Sequence, residues 1–143
     1  MRVLALDIGE KRIGVASGDT RTRVAVPVKV LPAQEVFSGA PSWRTLLQDE
    51  EPELIVAGLP TSLSGGQGPQ ARAVRQSAQR IAAAAGLPLE FCDERLSSAE
   101  AKRVLRGQGY SEREMRGRLD AVAASLFLET WLARHERHGQ EGG

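Results

Sequence analysis

Three carboxylates, Asp7, Glu94 and Asp120, stand at positions where the surrounding residues withdraw them from water or aim them at a neighbour. Asp7 lies near the end of an apolar run, Val3 to Ile8, whose alternation puts Val3 and Ala5 on its own side and Leu4, Leu6 and Ile8 on the other. An unpaired charge buried there costs more than a small domain can spare, so Asp7 needs a cation. That cation is a metal ion, or else Lys11 or Arg12; an Asx turn toward Gly9 is the other structural use of such an acid. Glu94 follows a short run in Phe91-Cys-Asp-Glu-Arg95, where a chain leaving a sheet carries ligand-binding groups. A solvated turn is its plain alternative, and Asp93 could serve in its place. Asp120 opens a helix, where an acid complements the helix dipole by roughly 0.3 to 1 kcal/mol with no further role. Yet Ala123, Ala124, Phe127 and Trp131, one to three turns on, are all apolar, which puts Asp120 on the buried face and leaves Arg118, Ser125 and Glu129 to mark the wet one.

Acids that converge repel one another, and a hard divalent cation bound through oxygen relieves that repulsion. Carboxylate ligands without His or Cys suit magnesium or manganese better than zinc. The two histidines, His135 and His138, fall beyond the expected last helix and read as surface residues.

The elements that must position these acids are legible from pattern. Val3 to Ile8 and Ile13 to Ala16, bounded by Gly9 and Gly18, read as a strand hairpin. Val24 to Leu31 is a third strand, which Pro27 assigns to an edge or makes irregular. A short helix is expected from Ser42 to Glu50, a buried strand from Leu54 to Ala57, and a long helix from Gln70 to Ala85 closed by Gly86. Pro88 to Cys92 is the last strand. Ser97 and Glu100 have capping-box spacing at the start of a helix running to about Gly107. A polar link over 109–117 leads to a final helix, Arg118 to Arg134, and residues 139–143 are expected as a disordered tail after a single domain over 1–138. Three tightly connected strands followed by alternating helices and strands imply an α/β fold with a mixed sheet and helices packed on its faces.

The length, 143 residues, suits one domain. One cysteine, Cys92, excludes an intramolecular disulfide and four-cysteine metal sites, and is consistent with a reducing cytoplasm. No secretion signal or membrane span is expected, since the N-terminus reaches a charge early and no apolar run is long enough. Nineteen basic residues against eighteen acidic ones leave a net charge of +1, so overall charge does not announce a nucleic-acid partner. Its distribution says more: sixteen of the basic residues are arginine, and residues 100–118 hold six basic against three acidic side chains. Arginine's planar fork suits phosphate.

Taken together, Asp7-Ile-Gly-Glu-Lys-Arg-Ile-Gly-Val-Ala16, Gly58-Leu-Pro60, Asp93-Glu-Arg-Leu-Ser-Ser-Ala-Glu-Ala101 and Asp120-Ala-Val-Ala-Ala124 resemble, in this order and spacing, the YqgF/RuvX family. These RNase H-like proteins are described as Holliday-junction resolvases and as nucleases that mature the 5′ end of 16S ribosomal RNA. The resemblance spans nearly the whole chain. It implies a five-stranded mixed sheet, three antiparallel strands first and then two parallel, with helices on both faces and an active site of Asp7, Glu94 and Asp120. In this chain Ser64 precedes Gly65 where relatives often carry an Asp, so the Gly-rich loop supplies no extra carboxylate. Related resolvases use four acids, and three are evident here.

The implied chemistry is hydrolysis of a phosphodiester by a metal-activated water, with two Mg2+ or Mn2+ ions roughly 3.5 to 4 Å apart. Lys11, Arg12 and Arg95 would meet phosphates, and Ser62, Gly65 and Gly66 belong to a loop, Gly58 to Pro69, whose backbone N–H groups could hold a phosphodiester. The substrate is precursor 16S rRNA or a four-way DNA junction; a junction needs paired cuts and hence a homodimer, to which Leu128 and Trp131 could contribute if the core does not claim them. Two other classes compete. An actin-like or sugar-kinase nucleotide-binding protein opens with the same Asp-x-Gly hairpin but needs two such domains. A non-catalytic RNA-binding module would have no need of all three acids.

Overall fold

Two apolar faces alternate along the first strand, and the chain builds a helical layer on each. The computed structural model describes residues 1–60, 68–94 and 97–142, the side chains of 97, 98 and 136–142 excepted. In chain order the elements are β1 (Arg2–Ile8), β2 (Arg12–Asp19), β3 (Ala25–Pro32), α1 (Ala33–Ser38), α2 (Pro41–Glu50), β4 (Leu54–Leu59), α3 (Pro69–Ala85), β5 (Leu89–Asp93), α4 (Ser97–Gly107), α5 (Glu112–Arg116) and α6 (Leu119–Gly142). They form one five-stranded sheet in the order β3-β2-β1-β4-β5. β1, β2 and β3 pair antiparallel, whereas β1 with β4 and β4 with β5 pair parallel, as a helical crossover requires.

Leu4, Leu6 and Ile8 point to one side, where they meet Val36 of α1, Trp43 and Leu46 of α2, and Val74, Ala78 and Ile81 of α3. Val3 and Ala5 point to the other, against Ala124, Phe127, Leu128 and Leu132 of α6. Asp7 continues the second series, so it faces α6. α4 and α5 do not reach the sheet centre; Ala101, Leu105 and Met115 pack instead on Val122 and Ala123. Proline at the first position of α2 and of α3 begins each helix where a missing N–H costs nothing, and Gly86 closes α3 in the left-handed region at φ 69°.

The expected strands and long helices all form, with bounds shifted by a few residues. β3 is an edge strand, as Pro27 requires, and its register with β2 shifts between Val15 and Ala16, opposite that proline. Two short helices, α1 and α5, were not expected. α5 carries a capping box: Ser111 Oγ accepts from the Glu114 N–H and Glu114 Oε1 accepts from the Ser111 N–H, at 3.2 and 3.1 Å. The box expected at Ser97 involves a side chain outside the described residues. α6 runs to Gly142, past Arg134 and through the residues expected as a tail, there being no proline between them to stop it. Ser125, assigned above to the wet face, is buried; its hydroxyl donates to the Val122 carbonyl at 2.7 Å, which satisfies it without water. Leu128 and Trp131 are buried in the core and so are not available to a dimer contact. Among the described residues no helix is long and apolar enough to cross a membrane.

Because α6 carries Asp120, its seat on the sheet matters more than that of any other helix. Leu128, fully buried between α6 and the sheet, is expected to cost about 2 to 5 kcal/mol of unfolding free energy when changed to alanine, as read by urea denaturation. A loss below about 1 kcal/mol would mean that α6 is not seated as described.

Candidate active site

The site is assembled around Asp7 by the two strands that flank β1. In the antiparallel ladder Asp7 stands opposite Gly14 of β2. On the other side Leu6 pairs with Ala57 of β4, so Gly58 follows on Asp7's flank, and Gly58 in turn pairs with Cys92 of β5. Both flanking residues are glycines for a steric reason. A Cβ on Gly14 would lie 2.1 and 2.2 Å from the backbone carbon and oxygen of Asp120, and 2.5 Å from the nitrogen of Ala121. The first turn of α6 therefore rests directly on the β2 backbone beside Asp7. A Cβ on Gly58 would lie 2.6 Å from the Phe127 ring and 3.0 Å from Glu94 Oε2. The bare backbone there is what lets Glu94 fold back over the sheet. Glu94 is further fixed by its own N–H, which donates to the Leu59 carbonyl at 3.2 Å.

Of the three acids expected to form one site, Asp7 and Glu94 are adjacent, and Asp120 stands at the same end of the sheet, close enough for its charge to act on both. Asp7 and Glu94 are half-buried and joined by a side-chain hydrogen bond in which Asp7, holding the proton, donates to Glu94. Burial is the main cause of a rise in the Asp7 pKa to about 8; the charge of Glu94, the hydrogen bond with it and the charge of Asp120 push the same way. Glu94 is also raised, first by burial and then by Asp93 and Asp120, with the Asp7 hydrogen bond acting against them. Asp120 is raised by burial and held back by Arg12. Between the two candidate acids after β5 the structure selects Glu94, since Asp93 is exposed.

The structural alternatives for Asp7 fare less well. The Gly9 N–H, which an Asx turn would require, donates to the Arg12 carbonyl at 2.9 Å. Arg12 reaches Asp120 instead, Nε to Oδ2 at 3.5 Å, from a side chain that is 60% exposed, so the pair is screened and weak. Lys11 is exposed on the hairpin turn and its carbonyl accepts the Ala33 N–H at 2.8 Å. Ser62, Gly65, Gly66 and Arg95, expected at a nucleic-acid contact, lie outside the described residues.

Among the described residues no trio of His, Cys, Asp or Glu side chains stands ready to enclose a metal ion. The Asp7–Glu94 pair closes on itself through a shared proton, and a cation would take that proton's place. The donor set fits such an ion: all oxygen and partly buried, with burial first among the causes that raise each acid.

A family model described as "RuvX: Holliday junction resolvase" matches residues 1–134. The chain belongs to the RuvX family. A relative from Anaeromyxobacter sp. (strain Fw109-5), named "Putative pre-16S rRNA nuclease", is 43% identical over 136 residues, covering 94% of this chain and 99% of its own. Another of that name, from Chloroflexus aggregans, is 36% identical over 130 residues, 91% of this chain and 92% of its own. Among solved structures, "T. thermophilus RuvC in complex with Holliday junction substrate" superposes with a TM-score of 0.56 at 13% identity, covering 95% of this chain and 96% of the other. The fowlpox virus Holliday junction resolvase gives 0.52 at 13% identity over 94% and 99%. The fold is therefore the RNase H-like fold of these resolvases, as the motifs implied.

Sequence reasoning did not single out Gly14 and Gly58 as packing devices, although both lie within the quoted motifs. Gly14→Ala is expected to force α6 away from β2, lowering the melting temperature by several degrees and uncoupling Asp120 from Asp7. An unchanged melting temperature would contradict the close contact.

The pKa shifts have a testable sign. Asp7 holds its proton more tightly folded than unfolded, so its contribution to stability is complete below the ordinary carboxylate range and is lost as pH rises through about 8. Chelator-treated protein is expected to melt at lower temperature as pH climbs from about 5 to 8, and Asp7→Asn to flatten that slope. Parallel profiles for the two proteins would overturn the assignment.

Proposed function

We propose that the chain is a divalent-metal-dependent endonuclease that hydrolyses phosphodiester bonds of structured nucleic acid, and that its substrate is the 5′ end of precursor 16S rRNA. The observation that carries this reading is the convergence of Asp7, Glu94 and Asp120 at one end of the sheet, the latter two seated over Gly58 and Gly14 on either flank of Asp7. Burying acids against each other is costly, and a fold that merely needed a core would have filled the site with apolar side chains. In support of the RNA substrate, relatives 36 to 43% identical over nearly their whole length bear the pre-16S rRNA nuclease name.

In this reading Asp7, Glu94 and Asp120 would hold Mg2+ or Mn2+, in one or two sites. When bound, the metal supplies activation of the attacking water and neutralises charge developing on the phosphate. The chain's own residues do the rest. Asp7, presented from the middle of the sheet, would hold the ion as a carboxylate, which requires loss of the proton that burial keeps on it. Glu94, raised by burial, is positioned by the Leu59 carbonyl and by the space above Gly58. Arg12 and Lys11, exposed on the hairpin beside Asp120, are free to turn toward phosphate, Arg12 by leaving a weak surface pair. The loop residues Ser62, Gly65 and Gly66, and Arg95, complete the nucleic-acid contact.

A second reading, cleavage of four-way DNA junctions, is favoured by the family model's description and would require two copies of the site. Both readings are tested by incubating the protein and its Asp7→Asn variant with labelled precursor 16S RNA and with a labelled four-way junction, in Mg2+ or Mn2+. Cleavage of the RNA is expected, with the variant slower by at least about a hundredfold while its fold and RNA binding persist. Full activity of the variant would end the metal-site proposal, and cleavage of the junction alone would replace the substrate.

A further inference from the structure

Beside the carboxylate site, at the edge of the sheet, lies a pocket of about 330 Å3 that the chemistry above does not use. Its floor is apolar, formed by Val30, Leu105 and Val122, and its rim carries Tyr110 and Arg118; Lys29, at the strand edge, pairs with Val15 and belongs to the opposite face of the sheet. Among the described residues no acidic side chain lines the pocket. The pocket shares structure with the carboxylate site. Ala121, which lines it, follows Asp120, and Val30 pairs with Gly14, itself opposite Asp7. Along this row, Asp7 to Gly14 to Val30, the pocket is two strand spacings from Asp7, or roughly 10 Å. The first turn of α6 sits over Gly14 between the two, so a strand joining them passes around the start of that helix.

Its rim is built rather than incidental. α4 ends at Gly107, and Gly109, at φ 88°, turns the chain so that the Tyr110 N–H donates to the Leu105 carbonyl at 3.1 Å. The capping box of α5 follows at once, and the Arg118 N–H donates to the Met115 carbonyl at 3.0 Å. These turns bring the Arg118 guanidinium over the Tyr110 ring, its Cζ 4.6 Å from the ring centroid. Arg118 is exposed, so the ring holds one face of the guanidinium plane and leaves the other open.

We propose that this pocket receives one unstacked nucleotide of the substrate strand, its base stacked on Arg118 above the apolar floor. A planar cation held by an aromatic ring is a stacking platform for any base, and apolar walls rimmed by that cation suit a nucleotide more than a protein side chain. The consequence is a preference for a strand with an unpaired nucleotide next to the cleaved bond over continuous duplex. The inference rests on the nuclease reading for the strand it invokes, yet its test reads binding and not cleavage.

The test uses the full chain bearing Asp7→Asn and single-stranded RNAs of one sequence in which a 2-aminopurine is moved position by position. Fluorescence quenching is expected at one position, with release of the quench and at least about a tenfold loss of affinity in Arg118→Lys, which keeps the charge but not the plane. Affinity for a blunt duplex should be unchanged in that variant. Tyr110→Leu, checked for folding by its circular dichroism, should weaken single-strand binding in the same way. Equal binding by Arg118→Lys and its parent, or an equal loss on single strand and duplex, would overturn the pocket assignment while leaving the nuclease reading untouched. If instead the RNA is cleaved by the Asp7→Asn protein, the nuclease site is misassigned, and the quench still decides the pocket.

Discussion

The first turn of α6 resting on the bare backbone of β2 at Gly14 is the contact on which the rest of the site depends. It fixes two things at once. It sets the height of α6 above the sheet, so that Ala124, Phe127 and Leu128 can fill the space over Val3 and Ala5. It also delivers Asp120 to the strand position opposite Asp7. A side chain of any size at residue 14 would separate these outcomes, because the helix would have to lift to admit it. The same logic operates at Gly58, where the vacated volume is shared between the Phe127 ring and the Glu94 carboxylate. The two glycines flank Asp7 on neighbouring strands, and core packing and site geometry are thereby one problem.

That geometry has an electrostatic cost. Three acids are drawn together at the rim of an apolar core, and among the described residues Arg12, itself mostly exposed, offsets one of them. The proton that burial and the neighbouring charges hold on Asp7 absorbs part of the difference. A site whose acid is held protonated by burial is a site that loses stability on ionisation, and a bound cation would relieve that loss. Stability and function are in opposition here, as is usual where like charges are gathered for chemistry.

Much of this was legible in the residues alone. The continuous apolar run of β1 announced a central strand, and its alternation placed Asp7 on the Val3 and Ala5 side, where the structure has it. Pro27 announced an edge strand, and the apolar positions after Asp120 announced which way that acid faces. What was not legible depended on partners remote in sequence. α1 follows directly on Pro32 and has too few residues to show a period, and α5 is polar on nearly every face, so neither had a hydrophobic signature. Ser125 looked wet because it is polar, and only the neighbouring Val122 carbonyl makes its burial tolerable. Gly14 and Gly58 looked like strand punctuation. Their function is to be absent from a volume that residues more than thirty positions away occupy.

The central claim is that Asp7 and Glu94 share a proton which a divalent cation displaces. Calorimetric titration of the protein with Mn2+ at pH 7, repeated in buffers of different ionisation enthalpy, counts the protons released on binding. The account predicts release of about one proton per site filled, falling sharply in Asp7→Asn. Binding with no proton release, or the same release from the variant, would contradict it.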